Sequence, residues 1–158
     1  MSRTALAILA TAGSIALLAG ALAFQYIGGL APCHLCMLQR YPHMAAILLG
    51  GLALALRRGL VSRLLPLMAA AGTLTSAAYG AYHTGVERQW WPGPTTCTSG
   101  SIGNLSAKDL LAQIQAAPLV QCDQVAWSML GLSMASWNML ASLLLTALWV
   151  MVFRKSGA

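Results

Sequence analysis

The sequence predicts an all-α integral membrane protein: a four-helix transmembrane bundle with one long outer loop that carries a short amphipathic helix. Three observations lead there. Of the 158 residues, 58% are hydrophobic and only 8% charged, where a soluble domain carries about a quarter charged residues. Mean hydropathy is +0.71. The apolar residues also gather into four runs, each near the length of a bilayer crossing. The length suits one compact domain, so residues 1–158 read as a single membrane domain.

Taken in order, the chain opens with a short segment bearing Arg3. Residues 5–24 carry no charge, and as a helix they reach roughly 30 Å, enough to span a bilayer. A cleaved signal peptide is the rival reading, with Arg3 as its basic start and Ala21-Leu22-Ala23 resembling a cleavage site. The run is long for a signal-peptide core, which favours a retained helix. Either way Cys33 ends beyond the membrane. A link containing Gly28, Gly29 and Pro32 leads to the second span, 36–56. Pro42 lies in its first two turns, where a local kink is tolerable. Arg57, Arg58 and Arg63 form a short basic loop. The third span, 64–82, has Ala69-Ala70-Ala71-Gly72 and Ser76-Ala77-Ala78, small residues suited to close helix contact. Tyr79, Tyr82 and His83 end it.

Residues 25–35 and 84–136 are then the two outer loops. The longer one holds Trp90, Trp91, Cys97 and Cys122. Ser106 is a candidate N-cap within it. Leu110, Leu111, Ile114 and Ala117 follow at helical spacing, as in an amphipathic helix lying on a membrane surface or packed on the loop itself. The fourth span, 137–153, is closed by Arg154 and Lys155.

Charge sets the expected orientation. Arg3, Arg57, Arg58, Arg63, Arg154 and Lys155 fall on one side. Arg40, Arg88 and Lys108, with the acids Glu87, Asp109 and Asp123, fall on the other. The positive-inside rule puts both termini in the cytoplasm and all four cysteines outside. Tyr26, Tyr41, Tyr79, Tyr82, Trp90, Trp91 and Trp137 cluster near the outer span ends, as an interfacial belt would. Net charge is +6, but without a basic patch interleaved with aromatics it does not suggest nucleic acid.

The chemistry concentrates in Cys33-His34-Leu35-Cys36 and Arg40, at the mouth of the second span. A helix beginning at or just before Cys36 brings both cysteines and Arg40 near one face. A helix N-terminus also favours thiolate. Three uses of the cysteines compete. A metal site has Cys33, Cys36, His34 and His43 available, but zinc ligands usually recur as a second close pair. Cys97 and Cys122 stand far apart in the chain. Met37 follows Cys36, so covalent haem attachment is excluded. A structural disulfide suits Cys97 and Cys122 but explains the first pair poorly. A redox relay explains all four: a thiolate attacks a disulfide, and two electrons pass on through a mixed disulfide. A quinone is the natural sink for them in a membrane. Arg40, costly at the edge of hydrocarbon, is suited to steady a Cys36 thiolate and negative charge developing on a quinone oxygen. Its bland reading is an interfacial arginine reaching to headgroups. His34 and His43 read as exposed or interfacial.

Cys33-x-Leu35-Cys36-x-x-Gln39-Arg40, four spans, a cysteine pair in the long outer loop, and Leu130-Gly131-Leu132-Ser133-Met134-x-x-Trp137 together resemble the disulfide bond formation protein B (DsbB) family. The resemblance covers essentially the whole chain. It implies a four-helix bundle in the bacterial inner membrane with periplasmic cysteines. It implies a protein-disulfide:quinone oxidoreductase that reoxidises a periplasmic thioredoxin-like oxidase (DsbA type) and passes electrons to ubiquinone or menaquinone. By position, Cys97 meets the partner's thiolate, Cys122 relays to Cys33, and Cys36 faces the quinone beside Arg40. His83 is the candidate for a quinone-associated histidine. Alternatives are a vitamin K epoxide reductase-like enzyme, a dedicated paralogous oxidoreductase, or a non-enzymatic metal-binding membrane protein.

Overall fold

The computed structural model describes residues 1–56, 59–94, Lys108 and 121–156. Cys97, the Arg57-Arg58 pair and the amphipathic helix expected from Ser106 lie outside the described residues, Lys108 apart. Among the described residues four helices dominate: α1 (Arg3–Tyr26), α2 (His34–Ala55), α3 (Gly59–Glu87) and α4 (Met134–Arg154). A two-stranded hairpin, β1 (Ser128–Met129) and β2 (Leu132–Ser133), precedes α4. By length and composition α1, α3 and α4 can each cross a membrane. α2 has 22 residues, but Gln39, Arg40 and His43 interrupt its apolar character. Many apolar side chains stay on the outside, such as Leu48 (70% exposed) and Leu144 (63%). Outward-facing leucines suit a lipid solvent better than water.

The helices start and stop for local reasons. Ser2 caps α1, its Oγ accepting from the Ala5 N–H at 3.1 Å. Arg3 ties the same end to α3, donating to the Ser62 carbonyl at 2.8 Å. α3 runs past its expected end near residue 82 to Glu87, which places Glu87 on a helix rather than in the loop. It stops at Gln89, a non-glycine residue at φ 58°. The Trp90 N–H returns to the Gly85 carbonyl at 2.9 Å, the bond of a left-handed helix cap. Trp91 then folds back: its Nε1 donates to the Tyr82 carbonyl at 3.0 Å, and its ring covers Gly85, where a Cβ would collide with it.

Small residues let the helices approach. Ala69, Ala70, Ser76, Ala77 and Gly80 line the buried face of α3. A Cβ on Gly80 would sit 3.0 Å from the Ala135 carbonyl of α4. At the other end Leu6, Ala10, Ala69, Leu145 and the fully buried Trp149 form the main apolar cluster. Gly50 leaves room there for Thr11 and the Trp149 ring.

The hairpin explains Leu130-Gly131-Leu132-Ser133-Met134-x-x-Trp137. Leu130 and Gly131 both have positive φ, 53° and 76°, as a two-residue turn of the I′ kind requires. Ser133 ends β2 and caps α4, its Oγ accepting from the Ser136 N–H at 3.2 Å. Trp137 Nε1 donates to the Met129 carbonyl at 3.1 Å, pinning the hairpin to the first turn of α4. Trp127, just before β1, packs on Phe24 of α1 with ring centroids 5.0 Å apart.

Candidate functional site

The site is built on the first turn of α2. The helix begins at His34, two residues earlier than expected, because Cys33 is its N-cap. The Cys33 sulfur accepts from the Cys36 N–H at 3.2 Å. The two sulfurs are 2.9 Å apart, with the Cys33 thiol donating to Cys36. Cys33 is buried and Cys36 half-buried. The hydrogen bond to Cys36 first, and burial second, push the Cys33 thiol far above the usual thiol range. The helix terminus therefore does not make Cys33 the thiolate. Of the two sulfurs, Cys33 is the one that holds its proton more tightly, pointing it at Cys36.

Two other elements close on this pair. Cys122 is fully buried and joins Cys33, Leu35 and Val86 in a small cluster. His83 of α3 brings Nε2 to 3.7 Å from the Cys33 sulfur and 3.9 Å from Glu87 Oε1. Three of the four cysteines of the proposed relay thus gather at one point, with His83 beside them. Cys97 lies outside the described residues.

Gln39 settles how His83 is oriented. Its Nε2 donates to the Leu35 carbonyl at 3.2 Å, and that carbonyl fixes which end of the amide carries the hydrogens. The same Nε2 lies 3.0 Å from His83 Nδ1. Nδ1 is then the acceptor, and Nε2 carries the ring hydrogen, with the Cys33 sulfur and the Cys122 backbone as its neighbours and Glu87 just beyond. Gln39 Oε1 in turn accepts from Asn138 Nδ2 at 2.8 Å.

Arg40 stands on the same helix, half-buried, and has partners on α1. It donates to Gln25 Oε1 at 2.6 Å and to the Ala21 carbonyl at 3.3 Å. His43, expected to be interfacial, is 2% exposed. It lies 3.3 Å from Ser14, 3.3 Å from Asn138 Oδ1 and 3.1 Å from Ser142. One hydrogen-bonded chain therefore joins His83, Gln39, Asn138 and His43 across three helices. His34, by contrast, is exposed.

A cavity of about 240 Å³ opens beside these groups. Leu17, Phe24, Leu30 and Trp127 supply apolar wall, while Cys36, Arg40, His43, His83 and Glu87 supply the polar positions. Such a cavity suits a flat apolar ring with acceptor atoms at its edge. A metal fits less well. Cys33 Sγ, Cys36 Sγ and His83 Nε2 lie within 4.8 Å of one another. Two sulfurs on one tetrahedral zinc, though, would stand about 3.8 Å apart, against 2.9 Å here.

Reading the sequence missed Glu87, Asn138, Ser14 and Ser142 as members of this site. Their signal was available: each is a polar residue in or beside an apolar run, where it has to find an internal partner.

Comparison with known proteins gives a consistent result. The family model described as "Disulfide bond formation protein DsbB" matches residues 2–152. A protein of Polaromonas sp. (strain JS666) named disulfide bond formation protein B is 32% identical over 155 residues, covering 89% of this chain and 83% of that protein. The protein of the same name from Verminephrobacter eiseniae is 35% identical over 156 residues, covering 90% and 81%. That from Acidovorax sp. (strain JS42) is 29% identical, covering 94% and 86%. No solved structure matches the chain.

Proposed function

The chain belongs to the disulfide bond formation protein B family, a family of membrane disulfide oxidoreductases, and on that footing we propose that it is a protein-disulfide:quinone oxidoreductase. In this reading it sits in the bacterial inner membrane as a four-helix bundle, α2 being the fourth span. Both termini face the cytoplasm and the cysteines face the periplasm. The electron donor is a thioredoxin-like dithiol oxidase of the DsbA type, and the acceptor is ubiquinone or menaquinone. The single observation that carries the reading is the meeting of Cys33, Cys36 and Cys122 beside one largely apolar cavity.

Each residue then has a task. Cys97 exchanges with the partner's thiolate. Cys122, packed against Cys33, passes the reducing equivalents inward. Cys33 holds its proton and hydrogen-bonds Cys36, which steadies negative charge on the Cys36 sulfur. Cys36 faces the cavity and is the sulfur that gives electrons. Arg40, held from α1 by Gln25, keeps a fixed positive charge on the cavity wall. His83 presents its Nε2 hydrogen to the pair. The quinone, when bound, supplies a carrier that takes up two electrons and two protons.

The test uses purified protein with a reduced thioredoxin-like partner and a soluble quinone, followed by quinone absorbance. Wild type reduces the quinone and Cys36→Ala does not. Absence of reduction by wild type, or reduction that survives Cys36→Ala, overturns the reading.

A further inference from the structure

Closing a dithiol to a disulfide releases two electrons and two protons, and the protons need somewhere to go. The Cys36 proton has a half-buried route outward. The Cys33 thiol is 5% exposed, and its neighbours decide the fate of its proton. His83 cannot take it while Gln39 holds Nδ1 as an acceptor, because Nε2 already carries the ring hydrogen. Among the described residues, Glu87 is the carboxylate that faces the same His83 nitrogen. Its side chain is 6% exposed. Oε1 lies 3.9 Å from the same His83 Nε2 that stands 3.7 Å from the Cys33 sulfur. Oε2 is buried and makes no close hydrogen bond, the Ser133 hydroxyl being the polar side chain that faces the carboxyl, and the residue lines the cavity that holds Cys36. A buried carboxyl oxygen without a close hydrogen bond is uncommon in a folded protein and calls for an explanation.

We propose that Glu87 is the proton-holding group of the Cys33–Cys36 pair. The Cys33 S–H bond breaks and its proton moves to the Glu87 carboxylate, while the Cys33–Cys36 bond forms and two electrons leave for the quinone. The Cys36 proton goes to solvent. Glu87, now a neutral acid on the cavity wall, gives its proton to a reduced quinone oxygen, and the second proton comes from water. His83, donating from Nε2, steadies whichever of sulfur and carboxylate is negative. Among the described residues, the charged and titratable groups near Glu87 are His83 and Arg88 on its own helix and Cys36 from α2, with the Ser133 hydroxyl before α4 beside its carboxyl.

The inference rests on the redox reading of the pair, so its test needs no quinone. Reduced full-length protein is oxidised with ferricyanide, which carries no protons. Disulfide is counted by thiol labelling and peptide mapping, and released protons by an indicator dye. Wild type should release one proton fewer per Cys33–Cys36 disulfide than Glu87→Gln. The oxidised-minus-reduced infrared spectrum should gain a protonated-carboxyl band that is lost in Glu87→Gln and moved in Glu87→Asp. Equal proton release by wild type and Glu87→Gln, or a band that survives Glu87→Gln, overturns the proposal. If wild type closes no Cys33–Cys36 disulfide at all, the oxidase reading falls and takes the proposal with it.

Discussion

Arg40 illustrates what the residue scale adds to a motif. In the sequence it is a charge four places after a cysteine, and its cost in hydrocarbon invites a functional account. In the structure that cost is partly met by Gln25 and the Ala21 carbonyl of α1. The two roles are separable. Arg40→Ala should raise the apparent KM for quinone by about tenfold or more, on the scale of one lost charge-assisted hydrogen bond of about 1.5–3 kcal/mol. The KM for the thiol partner should change much less. Steady-state kinetics with each substrate varied in turn decides this, and equal quinone KM values in mutant and wild type would contradict the role. That Cys33, Cys36 and Arg40 share the start of one helix was legible because their spacing alone carries it. Gln39 and His43 were not, since helical spacing gives a face but not what the face meets. His43 needed Ser14, Asn138 and Ser142 to come from two other helices.

At the scale of elements, helix existence was plain and helix ends were not. Four apolar runs predicted four helices, but α3 overran its expected limit because its stop signal is conformational. Gln89 adopts the left-handed region that glycine normally supplies. Nothing in the residue type announces that. The left-handed conformation costs an ordinary residue about 1–2 kcal/mol, so Gln89→Gly should stabilise the protein by about 1 kcal/mol. Thermal unfolding in detergent measures it, and an unchanged or lower Tm would show that the cap is not under strain. The hairpin before α4 was visible only as a family motif. Its physical content, a positive-φ pair at Leu130-Gly131 and a serine cap on α4, became readable once the backbone was known.

For the molecule as a whole, the charge asymmetry makes a separate prediction. Arg3 reaches Ser62 near the start of α3, so two of the basic segments are at the same end of the bundle, as the orientation requires. Cys33, Cys36 and Cys122 gather at the other end of the bundle, where α2 starts and α3 ends. A reporter enzyme that folds only in the cytoplasm, fused after Ala158, should be active. A membrane-impermeant thiol reagent applied from outside should label the reduced protein. An inactive C-terminal fusion together with absent labelling would invert the topology. The membrane class itself was fully legible, because composition depends on no contact. The cavity was not, since its wall is assembled from residues as distant in the chain as Leu17 and Asn138.

The cap on α2 has one more consequence. Cys33 is both a reacting sulfur and the acceptor that closes the first turn of the helix. Each time that sulfur changes its bonding, the Cys36 amide proton must feel it. That single N–H is therefore a built-in gauge of the oxidation state, readable by its resonance frequency or its exchange with deuterium. Turnover can be watched from the backbone without a label on either sulfur.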